Sequence, residues 1–372
     1  MSVVCLKKIR NGNVYSSVNE CFNLVVTKDI LDGVKSVLIK PNFLTNAPAN
    51  TGVTTDFRII TSLIKSFRIN GIEKIIIGES SGVNTELVFK SLGVYRLRKY
   101  NVSIINFDEG KWIKVKSPTG LILKELHVPE VVNDVDLIVS AAKMKTHVIT
   151  KVTLGMKNFF GTLLRSDRKI AHKIGIEESI VDVCSYFLKN KKVISFIDAI
   201  YALNGKHGPS HGVPVKMNLL IAGNDLVATD IVATMVMGYF PQKVKHVWLA
   251  RKLGLGGSDY HIVGERIKDV MKKFDVPEKS PIESKLFPYF SRFFRRWPYV
   301  KNKESCTMCM ACENSCPQGA IKVRGKGDIL IDYRKCISCL VCCEMCKNGA
   351  LSYRIKFPFS LIHKIYKTMW KR

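Results

Sequence analysis

The chain has 372 residues, of which 47% are hydrophobic and 24% charged, which suffices for a large core and two or three domains. Its formal net charge of +27 indicates an anionic partner, such as an anionic membrane surface, an acidic redox protein or nucleic acid. Residues 1–10 lack an apolar h-region and no run of about 18 apolar residues occurs, so neither a signal peptide nor a transmembrane helix is expected.

Residues 1–275 alternate short β-branched runs with amphipathic stretches. The pattern predicts strands at residues 37–39, 74–77, 102–107, 135–140, 193–197 and 219–222. It predicts helices at residues 55–70, 176–189 and 226–237. Such alternation indicates an α/β fold with a mainly parallel sheet covered by helices. No GxGxxG or P-loop sequence follows these strands, so a standard dinucleotide or nucleoside triphosphate site is not expected.

Polar residues follow the carboxyl ends of these predicted strands. They are Lys40, Asn42, Glu79, Ser80, Lys143, Lys145, Asp198, Asn224 and Asp225. In open α/β sheets the ligand binds at this edge, so we expect several of these side chains to line one crevice. Exposed strand ends are polar in most proteins, so a single polar residue there does not indicate a site. The occurrence of polar residues after several strands is the evidence for a ligand site.

Three lysines and a histidine follow the strand predicted at residues 135–140. Lys143, Lys145 and Lys157 could hold a carboxylate or a phosphate, and His147 could transfer a proton. The alternative is a solvated basic loop without a ligand. We predict an anionic small-molecule site.

A loop rich in Gly and Pro follows Asp198 and contains His207 and His211. This composition suits a lid, an acid/base pair or a divalent metal site, although the spacing is not diagnostic of a metal. Asp225 precedes a predicted helix, and a helix N-cap is its simplest role.

Two runs of four cysteines lie near the C-terminus, each with the spacing Cys-x-x-Cys-x-x-Cys-x-x-x-Cys. The runs are Cys306, Cys309, Cys312, Cys316 and Cys336, Cys339, Cys342, Cys346. This is the pattern of a bacterial-type ferredoxin with two [4Fe–4S] clusters, in which the fourth cysteine of each run binds the other cluster. One predicted cluster therefore takes Cys306, Cys309, Cys312 and Cys346. The other takes Cys336, Cys339, Cys342 and Cys316.

Zinc also binds Cys-x-x-Cys pairs, but two matching runs with Pro317 after the first favour iron–sulfur clusters. Lys347 stands where the second run would have its proline, and Cys343 is a surplus thiol that we interpret as an ordinary buried cysteine. The remaining Cys5, Cys21 and Cys184 are scattered and suggest no disulfide framework. Thiolate-bound iron fits a reducing compartment, so a cytoplasmic protein is predicted.

The predicted organisation is an α/β domain at 1–275, a basic aromatic linker at 276–300, a two-cluster domain at 301–353 and a basic amphipathic tail at 354–372. Segments 286–297 and 357–372 mix aromatic and basic residues. They could bind an anionic membrane surface or a protein partner, or pack the two domains together. Nucleic acid is the weakest candidate, because no recognition motif accompanies the charge.

Several stretches of the first 240 residues resemble the domain of unknown function 362 family, whose members are described as iron–sulfur centre proteins. The matching stretches are residues 40–42, 78–82, 143–147, 157–161, 198–209 and 224–230. The resemblance implies the same domain layout, including a fused C-terminal ferredoxin module, and supports the choice of crevice residues. It implies no particular reaction.

The leading hypothesis is a redox protein, and if it is an enzyme, a ferredoxin-linked oxidoreductase. The clusters would pass single electrons between an external redox protein and an anionic molecule in the α/β crevice, with His147, His207 or His211 handling protons. The alternatives are a non-catalytic electron-transfer or assembly factor that docks on an enzyme or a membrane, and a regulator that senses redox state through its clusters.

Overall fold

The computed structural model describes residues 1–205, 209–210, 212–276 and 296–355, and within them the β-branched runs form a nine-stranded sheet. The chain divides into two units, Met1–Val276 and Pro277–Arg372. Strands of the first unit are β1 (Ser2–Lys8), β2 (Ser36–Pro41), β3 (Lys74–Glu79), β4 (Ser103–Asn106), β5 (Trp112–Lys116), β6 (Glu125–Pro129), β7 (Leu137–His147), β8 (Lys151–Thr153), β9 (Lys192–Asn204), β10 (Val213–Gly223) and β11 (Tyr260–Gly264). Its helices are α1 (Val14–Val25), α2 (Lys28–Leu31), α3 (Phe57–Ile69), α4 (Thr85–Leu92), α5 (Gly155–Asn158), α6 (Arg165–Ile174), α7 (Ile176–Asn190), α8 (Leu226–Val236), α9 (Lys245–Lys252) and α10 (Ile267–Val270).

The sheet has the strand order β11-β1-β10-β9-β7-β2-β3-β4, and β8 pairs with β7 outside this path. Strand β10 runs antiparallel to both of its neighbours, and β8 runs antiparallel to β7. The other pairings are parallel. β5 and β6 form a separate ribbon. A mainly parallel sheet covered by helices confirms the predicted fold class.

Helices cover both faces of the sheet, as buried parallel strands require. Alternate residues of β7 enter different core clusters: Ile138 belongs to one, and Leu137 and Val139 belong to the other. Helices α1 and α3 cover the second face, where the rings of Phe22 and Phe67 meet edge to face at 4.9 Å. Burying side chains of this kind contributes about 1.5–3 kcal/mol each.

Strands β7 and β9 extend beyond their predicted ends at residues 140 and 197. All eleven residues of β7, through His147, are buried, and β9 continues to Asn204. The predicted β7 was too short because its lysines interrupt the apolar pattern that marks a buried strand. The predicted β9 was too short because Asp198 interrupts the same pattern. The alternative of a solvated basic loop at Lys143 and Lys145 is therefore wrong.

The direction of β10 corrects one part of the predicted crevice. Gly223, at the end of β10, pairs with Ser195, near the start of β9. Asn224 and Asp225 therefore lie at the amino ends of the parallel strands. Lys40 and Lys143 lie toward the carboxyl ends of those strands. The Asn224 Oδ1 atom accepts a hydrogen bond from Val3 N at 2.8 Å. Asp225 caps α8 by accepting from Ala228 N at 2.8 Å, which confirms its structural role.

The second unit has an internal repeat around its cysteine runs. Its elements are β12 (Arg296–Val300), α11 (Ala311–Asn314), β13 (Ile321–Gly325), β14 (Asp328–Ile331), α12 (Val341–Met345) and β15 (Leu351–Ile355). Both runs enter a short helix, and the residues flanking the second cysteine of each run have positive φ. These are Met308 and Met310 at 56°, Ser338 at 59° and Leu340 at 60°. Such values are uncommon outside glycine, so the two loops share one unusual backbone path.

No helix among the described residues is both long enough and apolar enough to cross a bilayer. The segments 277–295 and 356–372, which hold most of the predicted linker and tail, lie outside the described residues, as do His207 and His211.

Candidate functional site

The carboxyl edge of the parallel strands holds a buried ion pair. Lys143 on β7 and Asp198 on β9 are register partners, and both side chains are fully buried. The Lys143 Nζ atom lies 2.8 Å from Asp198 Oδ2 and donates to Ala49 O at 3.2 Å. Asp198 also accepts from the backbone N–H groups of Asp56, at 2.8 Å, and Ile200, at 2.9 Å. Such complete hydrogen bonding is what allows two charges to remain buried.

A second buried pair joins the ends of β2 and β3. Lys40 Nζ lies 2.6 Å from Glu79 Oε1, while Glu79 also accepts from Phe43 N at 3.0 Å and Ser80 N at 2.9 Å. Burial lowers the pKa of Lys40, although Glu79 opposes that shift. Gly161 packs directly on the pair, because a Cβ atom there would lie 2.8 Å from both Glu79 Oε1 and Lys40 Nζ. A side chain at position 161 would therefore have to displace part of this buried ion pair.

Asn158 connects this pair to β7. Its Nδ2 donates to Lys40 O at 2.9 Å and to Ser140 Oγ at 3.2 Å. Its Oδ1 accepts from Asn42 Nδ2 at 3.3 Å. The short helix α5, which ends at Asn158, therefore places an amide that bridges β2 and β7.

Lys145 differs from the two paired lysines. Its Nζ donates to Asn42 Oδ1 at 2.8 Å and to Val53 O at 2.9 Å, and both acceptors are neutral. Burial, followed by the nearby charge of Lys143, lowers the pKa of Lys145 to about 7. The amine can therefore gain or lose a proton near neutral pH, which is the property expected of a general acid or base.

The lowered pKa gives a stability prediction. Between pH 7 and the ordinary Lys value of 10.5, the unfolded chain holds one more proton at Lys145 than the folded chain does. The free energy of unfolding should therefore rise with pH, by up to about 1.4 kcal/mol per unit from this residue. We expect Lys145→Met to remove that slope in urea titrations from pH 7 to 10. An unchanged slope would show that Lys145 keeps its proton.

His147 is the last residue of β7 and Lys157 lies on α5, and both side chains are buried. His147 Nδ1 accepts from the backbone N–H groups of Ile149, at 3.1 Å, and Thr150, at 3.2 Å, so its neutral ring carries the proton on Nε2. Burial, followed by the charge of Lys157, lowers the pKa of His147 well below its usual range. The Lys157 ammonium lies 4.3 Å from the ring centroid of Phe160. His147 is thus a hydrogen-bond donor at neutral pH.

Two arginines of α6 were not predicted from the sequence to belong to this site. Arg165 forms a bidentate pair with Asp108, at 2.7 and 3.2 Å, and Arg168 donates to Ser80 O at 3.2 Å and Gly161 O at 3.1 Å. Burial, followed by the charge of Arg165, lowers the pKa of Arg168 to about 10. The only available signal was the basic face of an otherwise polar helix, which does not differ from that of a solvated helix.

The structure brings together most of the predicted crevice residues. Direct hydrogen bonds join Lys143 to Asp198, Lys145 to Asn42 and Lys40 to Glu79. The sheet direction excludes only Asn224 and Asp225 from this edge.

One cavity of the second unit brings together cysteines from both runs. It is lined by Cys316 of the first run together with three cysteines of the second, Cys336, Cys339 and Cys342. Pro317 and Leu340 also line it. These four thiols fit a [4Fe–4S] cluster, in which each iron takes one thiolate.

Cys312 of the first run also lies near thiols of both runs. Burial, followed by the neighbouring thiols of Cys346, Cys342 and Cys309, raises the pKa of Cys312 to about 12. Burial also raises the pKa of Cys346, and Cys309 and Cys306 add to that shift. Among the described residues, no group of three or more His, Cys, Asp and Glu side chains is arranged to hold one single metal ion. A [4Fe–4S] cluster does not need such a group, because each of its four irons takes one thiolate.

Cys343 makes a different contact from its neighbours. Its Sγ donates to Ser352 O on β15 at 3.3 Å, which ties α12 to that strand. The surplus thiol is half-buried, where the sequence predicted a buried one.

Residues 37–235 match the family model described as Domain of unknown function (DUF362). The chain belongs to this family. Residues 299–322 match the 4Fe-4S binding domain, which makes the second unit of this DUF362 protein an iron–sulfur, ferredoxin-type electron-transfer domain. Both matches agree with the predicted fusion.

Two proteins are similar to this DUF362 protein over part of their length. A thylakoid-associated protein of Synechocystis sp. is 25% identical over 230 residues, which cover 59% of this chain and 68% of that protein. The lactate racemase apoprotein from Thermoanaerobacterium thermosaccharolyticum superposes with a TM-score of 0.38 and 14% identity. That match covers 62% of this chain and 56% of the racemase.

Proposed function

We propose that this DUF362 protein carries two [4Fe–4S] clusters, which exchange electrons with a small anionic molecule bound at the carboxyl edge of the sheet in the first unit. The buried lysine cluster of that edge is the main support. Lys40 and Lys143 have carboxylate partners, whereas Lys145 donates to two neutral oxygens, those of the Asn42 amide and the Val53 carbonyl. An anionic ligand would supply the missing negative charge, since buried charges are normally paired.

The proposed chemistry is the reduction of a carboxylate- or phosphate-bearing molecule, or the reverse oxidation. Clusters of this type carry one electron each, so a two-electron reduction needs two transfers from an external low-potential redox protein. It also consumes two protons. Lys145, with its pKa near 7, is suited to donate one of them, and His147 Nε2–H is suited to orient the substrate.

The test begins with protein that is reduced anaerobically with dithionite and then freed of excess reductant. Anionic metabolites and protein electron carriers are added singly, and cluster reoxidation is followed by visible absorbance and EPR. We expect one class of metabolite to reoxidise the clusters, and Lys145→Met to slow that reaction by about 100-fold, a typical effect of losing a general acid. Met keeps the length of the side chain without its charge.

Lys124→Met is the matched control, because Lys124 is exposed and lies between β5 and β6, which form a ribbon separate from the main sheet. It should react like the unaltered protein. If protein carriers alone reoxidise the clusters, and Lys145→Met behaves like Lys124→Met, the crevice is not a redox site and the protein is an electron-transfer module.

Docking on an anionic membrane surface is the second candidate. The name of the Synechocystis relative, a thylakoid-associated protein, favours it. So does the sequence of residues 357–372, which has basic and apolar residues and no acidic one. We expect the protein to float with vesicles that contain anionic lipid, and removal of residues 357–372 to abolish flotation. Neutral phosphatidylcholine vesicles are the control, and equal flotation with and without the tail would exclude this role for it.

A further inference from the structure

Two cysteines that are far apart in the predicted pattern meet inside the first unit. Cys5 on β1 and Cys21 on α1 lie with their Sγ atoms 3.1 Å apart. Both side chains are buried, with 1% and 0% exposure. The sequence analysis treated them as scattered, because a separation of 16 residues says nothing about a strand and a helix that pack together.

Their surroundings make the two thiols unequal. The two thiols share one hydrogen bond, in which either sulfur can donate. This contact lowers the pKa of Cys5; burial opposes that shift, and the charge of Lys7 adds to it. The same contact, followed by burial, raises the pKa of Cys21 well above its usual range. These shifts make Cys5 the better candidate for the attacking thiolate and Cys21 the candidate for the thiol that attacks second.

The pair lies directly beneath the protein surface. Lys7, two residues after Cys5 on the same face of β1, forms an ion pair with Glu20, which precedes Cys21. The side chains of Lys7 and Glu20 are 32% and 48% exposed. A shift of this surface ion pair would admit a small oxidant to the sulfur atoms, although not a bulky one.

We propose that Cys5 and Cys21 form a redox-active dithiol, which closes to a disulfide when a small peroxide reaches it. The Cys5 thiolate attacks one oxygen of hydrogen peroxide and breaks the O–O bond, which gives a sulfenic acid and a hydroxide that is protonated to water. Cys21 then loses its proton and attacks Cys5 Sγ, which releases a second water. Two thiols are oxidised by two electrons in total, and one peroxide is reduced to two waters.

Closure needs little movement, because the sulfur atoms need to approach by only about 1 Å to reach bonding distance. The bond would tie β1 to α1 and so fix the first helix on the sheet. This dithiol is independent of the clusters and of the proposed crevice chemistry.

The test uses the full-length, cluster-loaded protein, treated anaerobically with about one equivalent of hydrogen peroxide, a small oxidant of the kind that reacts with thiolates. The protein is then denatured in an alkylating reagent and digested with trypsin. We expect a linked species that joins residues 1–7 to residues 11–28 and is two hydrogens lighter than the separate peptides. Iron content, measured in parallel, separates this reaction from damage to the clusters.

Cys184 is the internal control, since its thiol is also fully buried but donates to Met156 O at 3.5 Å. Cys5 and Cys21 should disappear from the alkylated peptides together, about tenfold faster than Cys184. In Cys21→Ala, Cys5 should stop at the sulfenic acid, which reacts with dimedone when the protein is denatured in that reagent. The proposal fails if peroxide leaves Cys5 and Cys21 as alkylatable as Cys184, or if Cys5 joins a cysteine other than Cys21.

Discussion

Replacing Asp198 with Ala is expected to lower the free energy of unfolding by about 3–5 kcal/mol. The change leaves the Lys143 ammonium fully buried without its carboxylate. It also removes the acceptor for the N–H groups of Asp56 and Ile200. Urea denaturation followed by circular dichroism measures the loss as a lower midpoint at an unchanged slope.

The double variant Lys143→Met/Asp198→Leu is the control for this prediction. It removes both charges together, and replacing a whole buried ion pair by apolar residues is often neutral or stabilising. We therefore expect it to be more stable than Asp198→Ala alone. If the single variant lost less than about 1 kcal/mol, water would have to reach the pair and its burial would be overestimated.

Cys336→Ser is expected to remove one cluster and leave the other. Because Cys336 lines the cavity with Cys316, Cys339 and Cys342, its loss should lower the iron content from about eight to about four atoms per chain. Cys316→Ser should have the same effect, although it belongs to the other run. Iron analysis and EPR of the reduced protein measure both results.

Cys343→Ser is the matched control, since Cys343 is adjacent to Cys342 but donates to Ser352 O. It should retain about eight iron atoms. Four iron atoms in the unaltered protein would contradict the two-cluster proposal. If Cys316→Ser instead left the signal of the second run intact, the crossed ligand assignment would be wrong.

The sequence predicted the parallel strands well, because strands buried on both faces are continuous apolar runs that differ clearly from their neighbours. It missed the reversal of β10, since an apolar run carries no information about strand direction. It ended β7 too early because Lys143 and Lys145 look solvated until Asp198 and Asn42 are placed opposite them.

The cysteine spacing predicted a complete set of cluster ligands, because short loops fix local geometry. Such local spacing does not predict contacts between segments that are distant in the chain. The approach of Cys5 to Cys21 and the position of Arg168 over Ser80 depend on how helices pack against the sheet. Neither contact produces a periodic pattern in the sequence from which it could be predicted.

The left-handed residues of the two cysteine loops have a consequence for the order of events during maturation. Met308, Met310, Ser338 and Leu340 occupy a conformation that costs a non-glycine residue roughly 1–2 kcal/mol. Before iron and sulfide bind, a newly made chain has few interactions that offset the cost of holding all four residues in this conformation. Bonds between the cysteine thiolates and a cluster would offset that cost. Cluster insertion and the final folding of this unit should therefore be one step. The supply of iron would then govern how much of the folded protein a cell contains.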